Sequence, residues 1–82
     1  MIVPTTKAQR LAMLEAQVWG QMQRGSDGAA YSRSGPGPIC SHDDAWSLVR
    51  RGWLANTEAG WEITAAGVIA AQDLIDGRIA SF

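Results

Sequence analysis

The sequence predicts a small α+β protein with the order helix, long loop, helix, β-hairpin, helix. Three segments with apolar residues at helical spacing follow the capping residues Thr6, Ser41 and Thr64. Two short segments with alternating apolar residues flank a turn between Trp53 and Thr64. A chain of 82 residues has room for one small core, so residues 1–82 are predicted to form a single domain.

The first helix is predicted to run from Lys7 to about Gln23. Thr6 can accept a hydrogen bond from a first-turn amide while Gln9 reaches back, which is the pattern of a capping box. The apolar stripe that we expect to face the core consists of Leu11, Leu14, Val18 and Met22. The alternative is a helix that pairs with a partner helix, which exposure of Met13 and Trp19 would support.

Residues 24–40 form the predicted loop. Four glycines, two prolines and three serines fall in positions 24–39, and this composition interrupts both helix and strand, with room for a short extended piece at Ala29 to Ser32. Long loops in compact domains are usually functional or disordered. Arg24, Tyr31 and Arg33 are therefore candidates for contact with a partner, and the alternative is a mobile, solvated loop.

The second helix is predicted to begin after Ser41, with Asp44 as its capping-box partner, and to end near Arg51. Its core positions are Ala45, Leu48 and Val49. Trp46 and Arg50 share another face at a spacing of four. Gly52 then ends the helix in the left-handed conformation that glycine adopts without steric cost.

The β-hairpin is predicted at residues 53–64, with its turn closing at a left-handed Gly60. Period-two alternation places Leu54, Trp61 and Ile63 inside and Trp53 at the margin. The last helix follows the cap Thr64 and is expected to end near Ile75. Its predicted stripe is Val68, Ala71, Gln72, Ile75 and Ile79, with Leu74 and Ile69 beside it.

The stretch from Leu48 to Gly67 carries a resemblance to a known family. Leu48-Val-Arg-Arg-Gly-Trp-Leu fits a Leu-x-x-x-Gly-apolar-apolar helix exit, and Ile63-Thr-Ala-Ala-Gly fits a Leu/Ile-Thr-x-x-Gly helix start. With the hairpin between them, residues 41–80 resemble the winged-helix (winged helix-turn-helix) family. The resemblance implies a wing at 53–64 and, in a DNA-binding member, a recognition helix at 41–51. The family places a further helix where this chain has the loop 24–40.

The distribution of charge bears on the partner. The net charge is −1, with four basic and two acidic residues before Ser41, and three basic and six acidic residues from Ser41 on. The tip of the predicted wing carries Glu58 instead of a basic residue. DNA binding needs a basic face, so the sequence favours a non-catalytic module that binds a protein complex. The candidate partner-binding residues are Arg24, Tyr31, Arg33, Trp46, Arg50 and Trp53.

The small size and the four tryptophans resemble those of accessory proteins of phages and mobile elements, including inhibitors of host defence such as anti-CRISPR proteins. The alternative function is a DNA-binding transcriptional regulator of the winged-helix family. Its DNA face would use Lys7, Arg10, Arg50 and Arg51, and a homodimer would double that face.

Potential metal ligands or a nucleophile and base come together only at Cys40, His42, Asp43 and Asp44. Helix capping accounts for both aspartates, and one Cys with one His is too few for a structural zinc site. We therefore expect no enzyme, no metal and no cofactor. With a single cysteine, no signal-peptide pattern and no long apolar segment, we expect a cytoplasmic protein without a membrane partner.

Overall fold

The computed structural model describes residues 5–32 and 37–80, and the predicted α+β class is confirmed there by three helices and five strands. The elements in chain order are α1 (Lys7–Trp19), β1 (Gln21–Arg24), β2 (Ala30–Tyr31), β3 (Pro38–Cys40), α2 (His42–Arg50), β4 (Leu54–Asn56), β5 (Gly60–Ile63) and α3 (Ala65–Ile75). None of the helices in these two ranges has the length and apolar character needed to cross a membrane.

The strands form one antiparallel sheet in the order β3-β2-β1-β5-β4. In the central pair, Met22 lies opposite Trp61 and Gln21 lies opposite Glu62. Since paired residues point to the same side of a sheet, Met22 and Trp61 share the buried face, while the two polar residues share the exposed face. α1 packs across β1, β3 and β5, α2 packs against β4, and α3 packs against α1.

The predicted order of elements needs correction, because three strands lie between α1 and α2, and β2 and β3 occupy the range 24–40 where a loop was expected. The short extended piece predicted at Ala29 to Ser32 contains β2. Strands of two or three residues are too short to show an alternating pattern, and Pro38 is tolerated because it is the first residue of an edge strand. In the described ranges, α2 follows β3 directly, and no helix lies between α1 and α2.

The start of α1 is confirmed, but its predicted end at Gln23 is wrong. Thr6 Oγ1 accepts from Gln9 N at 3.1 Å, and Gln9 Oε1 accepts from Thr6 N at 3.0 Å, which completes the capping box. Gly20 adopts φ 79° and ends the helix after Trp19. The next residues form β1 because their backbone pairs with β5. Met22 is therefore buried from a strand and not from a helix.

The predicted core face of α1 is also wrong. Leu11 and Val18 are exposed and Leu14 is half-buried, whereas the helix buries Gln9, Ala12, Met13 and Ala16. Periodicity finds the stripe with the most large apolar side chains, but the packed stripe holds two alanines, one methionine and one glutamine. The alanines let α1 lie close to its neighbours, while Leu11 and Val18 point outward.

The second helix is confirmed to within one residue of its predicted end. Ser41 Oγ accepts from Asp44 N at 3.2 Å, and the helix ends at Arg50. Gly52 adopts φ 82°, as expected. Ala45 and Leu48 are buried and Val49 is half-buried.

The predicted hairpin is confirmed as β4 and β5, with Leu54 and Trp61 buried and Trp53 half-buried. Ile63 is half-buried, so it lies nearer the margin than predicted. The expectation of a left-handed Gly60 is wrong, because this residue lies in β5 and its φ is not positive. Its lack of a side chain matters for another reason: a Cβ there would lie 2.1 Å from Met22 O.

The cap and end of α3 are confirmed at Thr64 and Ile75, but its predicted core stripe is wrong. Thr64 Oγ1 accepts from Gly67 N at 3.0 Å and donates to Gly52 O at 2.7 Å. The residues that α3 buries are Gly67, Ala70, Ala71 and Leu74. Of the predicted stripe, only Ala71 and the downstream Ile79 are buried. As in α1, the packed positions hold mainly small residues.

Candidate functional site

The outer surface of α1 and α3 carries every large apolar side chain that is exposed in the described ranges. Exposure runs from 43% for Trp19 to 72% for Val18. We call this surface the α1–α3 face, and its exposed members are Leu11, Val18, Trp19, Val68, Ile69 and Ile75. Monomeric proteins rarely leave apolar patches of more than a few hundred Å² uncovered.

The two helices of this face run antiparallel, and a hydrogen bond marks each end of the pair. Ile63 N–H, just before α3, donates to Gly20 O, just after α1, at 3.0 Å. At the opposite end, Thr5 N–H donates to Ala80 O at 2.9 Å. Val18 and Val68 consequently lie near one end of the pair. Leu11 and Ile75 lie toward the other.

Arg24, predicted to contact a partner, packs against the hairpin of its own chain. Its guanidinium carbon lies 4.5 Å from the centre of the buried Trp61 ring. Nη2 donates to Asn56 Oδ1 and, at 3.1 Å, to Gly60 O, and Nη1 donates to Thr57 O at 3.4 Å. These contacts hold the β4–β5 turn against β1.

Tyr31 is the last residue of β2 and is half-buried. Its hydroxyl donates to Asp27 Oδ2 at 2.9 Å, and this hydrogen bond raises the pKa of Tyr31. The pKa of Asp27 is lowered by the hydrogen bond from Ala29 N and by that from Tyr31. The pair stabilises the turn, with the ring of Tyr31 lying over Gly25. Arg33, the third loop candidate, lies outside the described residues.

The predicted aromatic and arginine patch on α2 is only partly exposed. Trp46 is half-buried and makes an edge contact with His42, with 5.9 Å between ring centres. His42 Nδ1 lies 3.2 Å from Gly28 O, which connects α2 to the β1–β2 turn. Arg50 is exposed.

Trp53 is covered in part by Arg51. The Arg51 guanidinium carbon lies 4.9 Å from the centre of the Trp53 ring, and both residues are half-buried. The candidate partner-binding residues Trp46 and Trp53 thus already contact His42 and Arg51 of their own chain.

The basic residues predicted for DNA lie on α1 and α2. Lys7 and Arg50 are exposed, and Arg10 and Arg51 are half-buried. A hydrogen bond of 3.1 Å from Gln9 Nε2 to Ser47 Oγ joins the two helices.

Cys40 is a buried thiol in the last position of β3. Burial raises the pKa of Cys40 to about 12, and the negative charge of Asp44 adds to the shift. Because of this raised pKa, the Cys40 thiol is protonated at neutral pH. The nucleophilic and metal-binding form is the thiolate. In 5–32 and 37–80, no three His, Cys, Asp or Glu side chains are grouped as metal ligands.

The α1–α3 face is the surface that sequence reasoning missed, although its residues were noticed. Leu11, Val18, Val68 and Ile75 all belong to the predicted core stripes. A signal was present in the last helix, whose apolar residues surround the axis except at Gln72 and Asp73. A helix that is apolar on all sides is usually buried on all sides, whereas the sheet and α1 can cover only part of α3.

By its fold and surface, the chain is a small α+β protein with an antiparallel sheet, a polar outer sheet face and an apolar two-helix face. Comparisons with family models, with curated proteins and with solved structures found no match to it.

Proposed function

We propose that the chain is a non-catalytic protein-binding module whose binding surface is the α1–α3 face. The observation that carries this proposal is that all six large apolar side chains exposed in 5–32 and 37–80 lie on two adjacent helices. Removing apolar surface from water stabilises association by about 25 cal/mol per Å² before the costs of binding are counted. Scattered apolar residues need no partner, but six of them on two helices in contact with each other gain substantially from one.

The other surfaces are less suited to this role. The exposed face of the central strands carries Gln21, Gln23 and Glu62, a pattern usual for a solvated sheet. Trp46 on α2 contacts His42, and Trp53, which lies between α2 and β4, contacts Arg51 of the same chain. Apolar exposure therefore favours α1 and α3 over the surface that the sequence indicated.

The proposal keeps the winged-helix-like scaffold and the role of a phage-encoded inhibitor of a host defence complex, such as an anti-CRISPR protein, as predictions. The confirmed hairpin between α2 and α3 supports the wing of that scaffold. Size and tryptophan content support the inhibitor role. The binding surface proposed above does not depend on either.

Site-specific photo-crosslinking tests the proposed function. A benzoylphenylalanine at Gln72, which is exposed on α3, is expected to form covalent adducts with protein in cells that produce the chain. The matched control carries it at Gln23, also an exposed glutamine but on the polar face of the sheet. Adducts from position 72 and none from position 23 support the α1–α3 face. Equal yields from both, or none from either, reject it.

A second candidate function is DNA binding, favoured by the hydrogen bond from Gln9 to Ser47, which joins the two helices that carry Lys7, Arg10, Arg50 and Arg51. Arg50→Ala is the cleanest test, because Arg51 also stacks on Trp53. If DNA is the ligand, the variant should weaken binding to all duplexes and reduce the salt slope by about one. Fluorescence anisotropy of a labelled random duplex at two salt concentrations measures both. An unchanged slope removes Arg50 from the DNA face.

A further inference from the structure

We infer that the α1–α3 face is covered by a second copy of this chain, in a symmetric dimer where α1 of each copy packs against α3 of the other. This inference rests on the proposed function, because it names the protein that binds the proposed surface. Three observations carry it: the spacing of the apolar residues, the placement of charge along the face, and the extent of the face.

The apolar residues of both helices are spaced as in helices that pack against other helices. Leu11, Leu14 and Val18 follow one another at intervals of three and four on α1. On α3 the apolar residues Val68 and Ile75 are seven positions apart, and the polar Gln72 lies between them. A seven-residue repeat of this kind forms a seam against a facing helix at a crossing angle of about 20°. The seam on each helix lies outside the chain's own core.

Charge is concentrated at one end of the face, and its sign differs between the helices. Lys7 and Arg10 lie near the start of α1, which has no acidic residue in its first turn. Asp73 and Asp76 lie near the end of α3, which has no basic residue in its last turn. Because the helices run antiparallel, these two groups lie at the same end. Arg78 pairs with both aspartates, at 3.2 and 3.7 Å, and leaves one net negative charge there.

A two-fold axis parallel to the helices makes this face complementary to itself. A symmetric interface uses the same patch on both copies. Rotation about that axis places α1 over α3 of the other copy with like ends together. Lys7 and Arg10 of each copy then face Asp73 and Asp76 of the other, while the apolar ends around Val18 meet. An axis perpendicular to the helices would place the charged end against the apolar end.

The extent of the face fits a dimer interface. A standard interface removes about 800 Å² from each partner, which is about one sixth of the 4783 Å² accessible surface of the chain. Two adjacent helices of 13 and 11 residues are roughly 20 Å long and about 10 Å across each, so their outer sides present roughly several hundred Å². A single partner helix would cover the groove between them and leave the outer edges exposed.

Sedimentation equilibrium of the full chain tests the inference directly. At about 100 μM, where a micromolar interface is filled, the wild type is expected at twice its 8.8 kDa mass. Val18→Asp with Val68→Asp should weaken the dimer by about 100-fold or more, because each copy would bury two unpaired charges. Gln21→Asp with Gln23→Asp, on the exposed sheet face, adds the same charges and should leave the dimer unchanged. Far-UV circular dichroism checks that each variant is folded.

A charge-swapped pair tests the orientation. One variant carries Lys7→Glu and Arg10→Glu, and the other carries Asp73→Lys and Asp76→Lys. Both swaps suit the helix dipole at their own helix end, so the fold should be retained. Each variant alone should dimerise roughly tenfold more weakly, and an equimolar mixture should recover a heterodimer. A mixture no tighter than its components rejects this orientation.

The outcomes separate this inference from the proposed function. A wild-type chain that sediments as a monomer at this concentration overturns the second copy as the occupant. If position 72 still crosslinks to a different protein in cells, the proposed function stands without the dimer. If it crosslinks to nothing, both fail. A dimer that the Val18 and Val68 substitutions do not weaken uses another surface and also overturns the inference.

Discussion

Trp61→Ala is expected to lower the free energy of unfolding by about 3–5 kcal/mol, as for other large-to-small changes at buried aromatic positions. Trp61 is fully buried in the central strand pair, opposite Met22. Its removal leaves a cavity between the sheet and the helices and takes away the ring on which Arg24 stacks. For a chain of this size the loss is a large part of the total stability. Urea denaturation followed by circular dichroism measures it.

Trp61→Phe is the matched control. Phenylalanine keeps a ring beneath Arg24 and removes an indole N–H that is buried without a hydrogen-bond partner among the described atoms. An unpaired buried donor costs about 1–3 kcal/mol, so its removal offsets part of the lost packing. We expect a loss of about 1–2 kcal/mol for this variant. Equal losses for the two variants would show that the ring does not support the pairing of β1 with β5.

Gly60→Ala is expected to destabilise the protein by about 3 kcal/mol or more, in the range reserved for strong steric conflict. The added Cβ would lie 2.1 Å from Met22 O and 2.8 Å from Arg24 N. Both are backbone atoms, so β1 and β5 would have to move apart. That movement would break the hydrogen bond of 2.8 Å from Arg24 N to Ala59 O. Thermal unfolding measures the loss as a lower melting temperature.

Gly37→Ala is the control for this substitution. Apart from its chain neighbours, a Cβ at Gly37 meets no atom of the described residues within 4 Å, and φ there is not positive. Where the native backbone suits alanine, the change usually stabilises a protein by about 0.4–1 kcal/mol, because it restricts the unfolded chain. The two variants should therefore shift stability in opposite directions. A Gly60→Ala protein as stable as the Gly37→Ala protein would contradict the close approach of β1 to β5.

Local chemistry was enough to predict the helix starts and the hairpin. Thr6, Ser41 and Thr64 each accept a first-turn amide, as their side chains and positions indicated. The left-handed Gly52 and the pairing of β4 with β5 depend on neighbours close in sequence. Features of this kind can be read from a few consecutive residues.

The central pairing could not be predicted in this way. β1 is recognised as a strand only through its partner β5, which lies far along the chain. The residues from Gln21 to Arg24 continue a helical pattern from α1, and only Gly20 interrupts it. Glycine lowers helix stability by about 1 kcal/mol, which alone does not distinguish a weak helix from an ended one. Tertiary contacts decided between the two.

The candidate site was hidden for a different reason. Periodicity identified apolar stripes on the first and last helices, but it cannot tell which of two apolar sides faces the core. Ala12 and Ala16 are buried, while Val18 on the same helix is 72% exposed. Side-chain size predicts that Val18 is buried and the two alanines are exposed, since larger apolar groups gain more from burial. α1 packs against α3 and the sheet, and Met13 is the only one of its large apolar side chains that is buried there.

The pairing of β1 with β5 also bears on how fast the protein folds. Met22 and Trp61 lie 39 positions apart, and the chain between them contains β2, β3, α2 and β4. This long segment must be closed into a loop before the central strands can meet, and the conformational entropy lost on closure precedes any gain from burial. Folding should therefore be slower than in a helical bundle of this length. The rate-limiting step is expected to be the meeting of the two distant strands and not the formation of any helix.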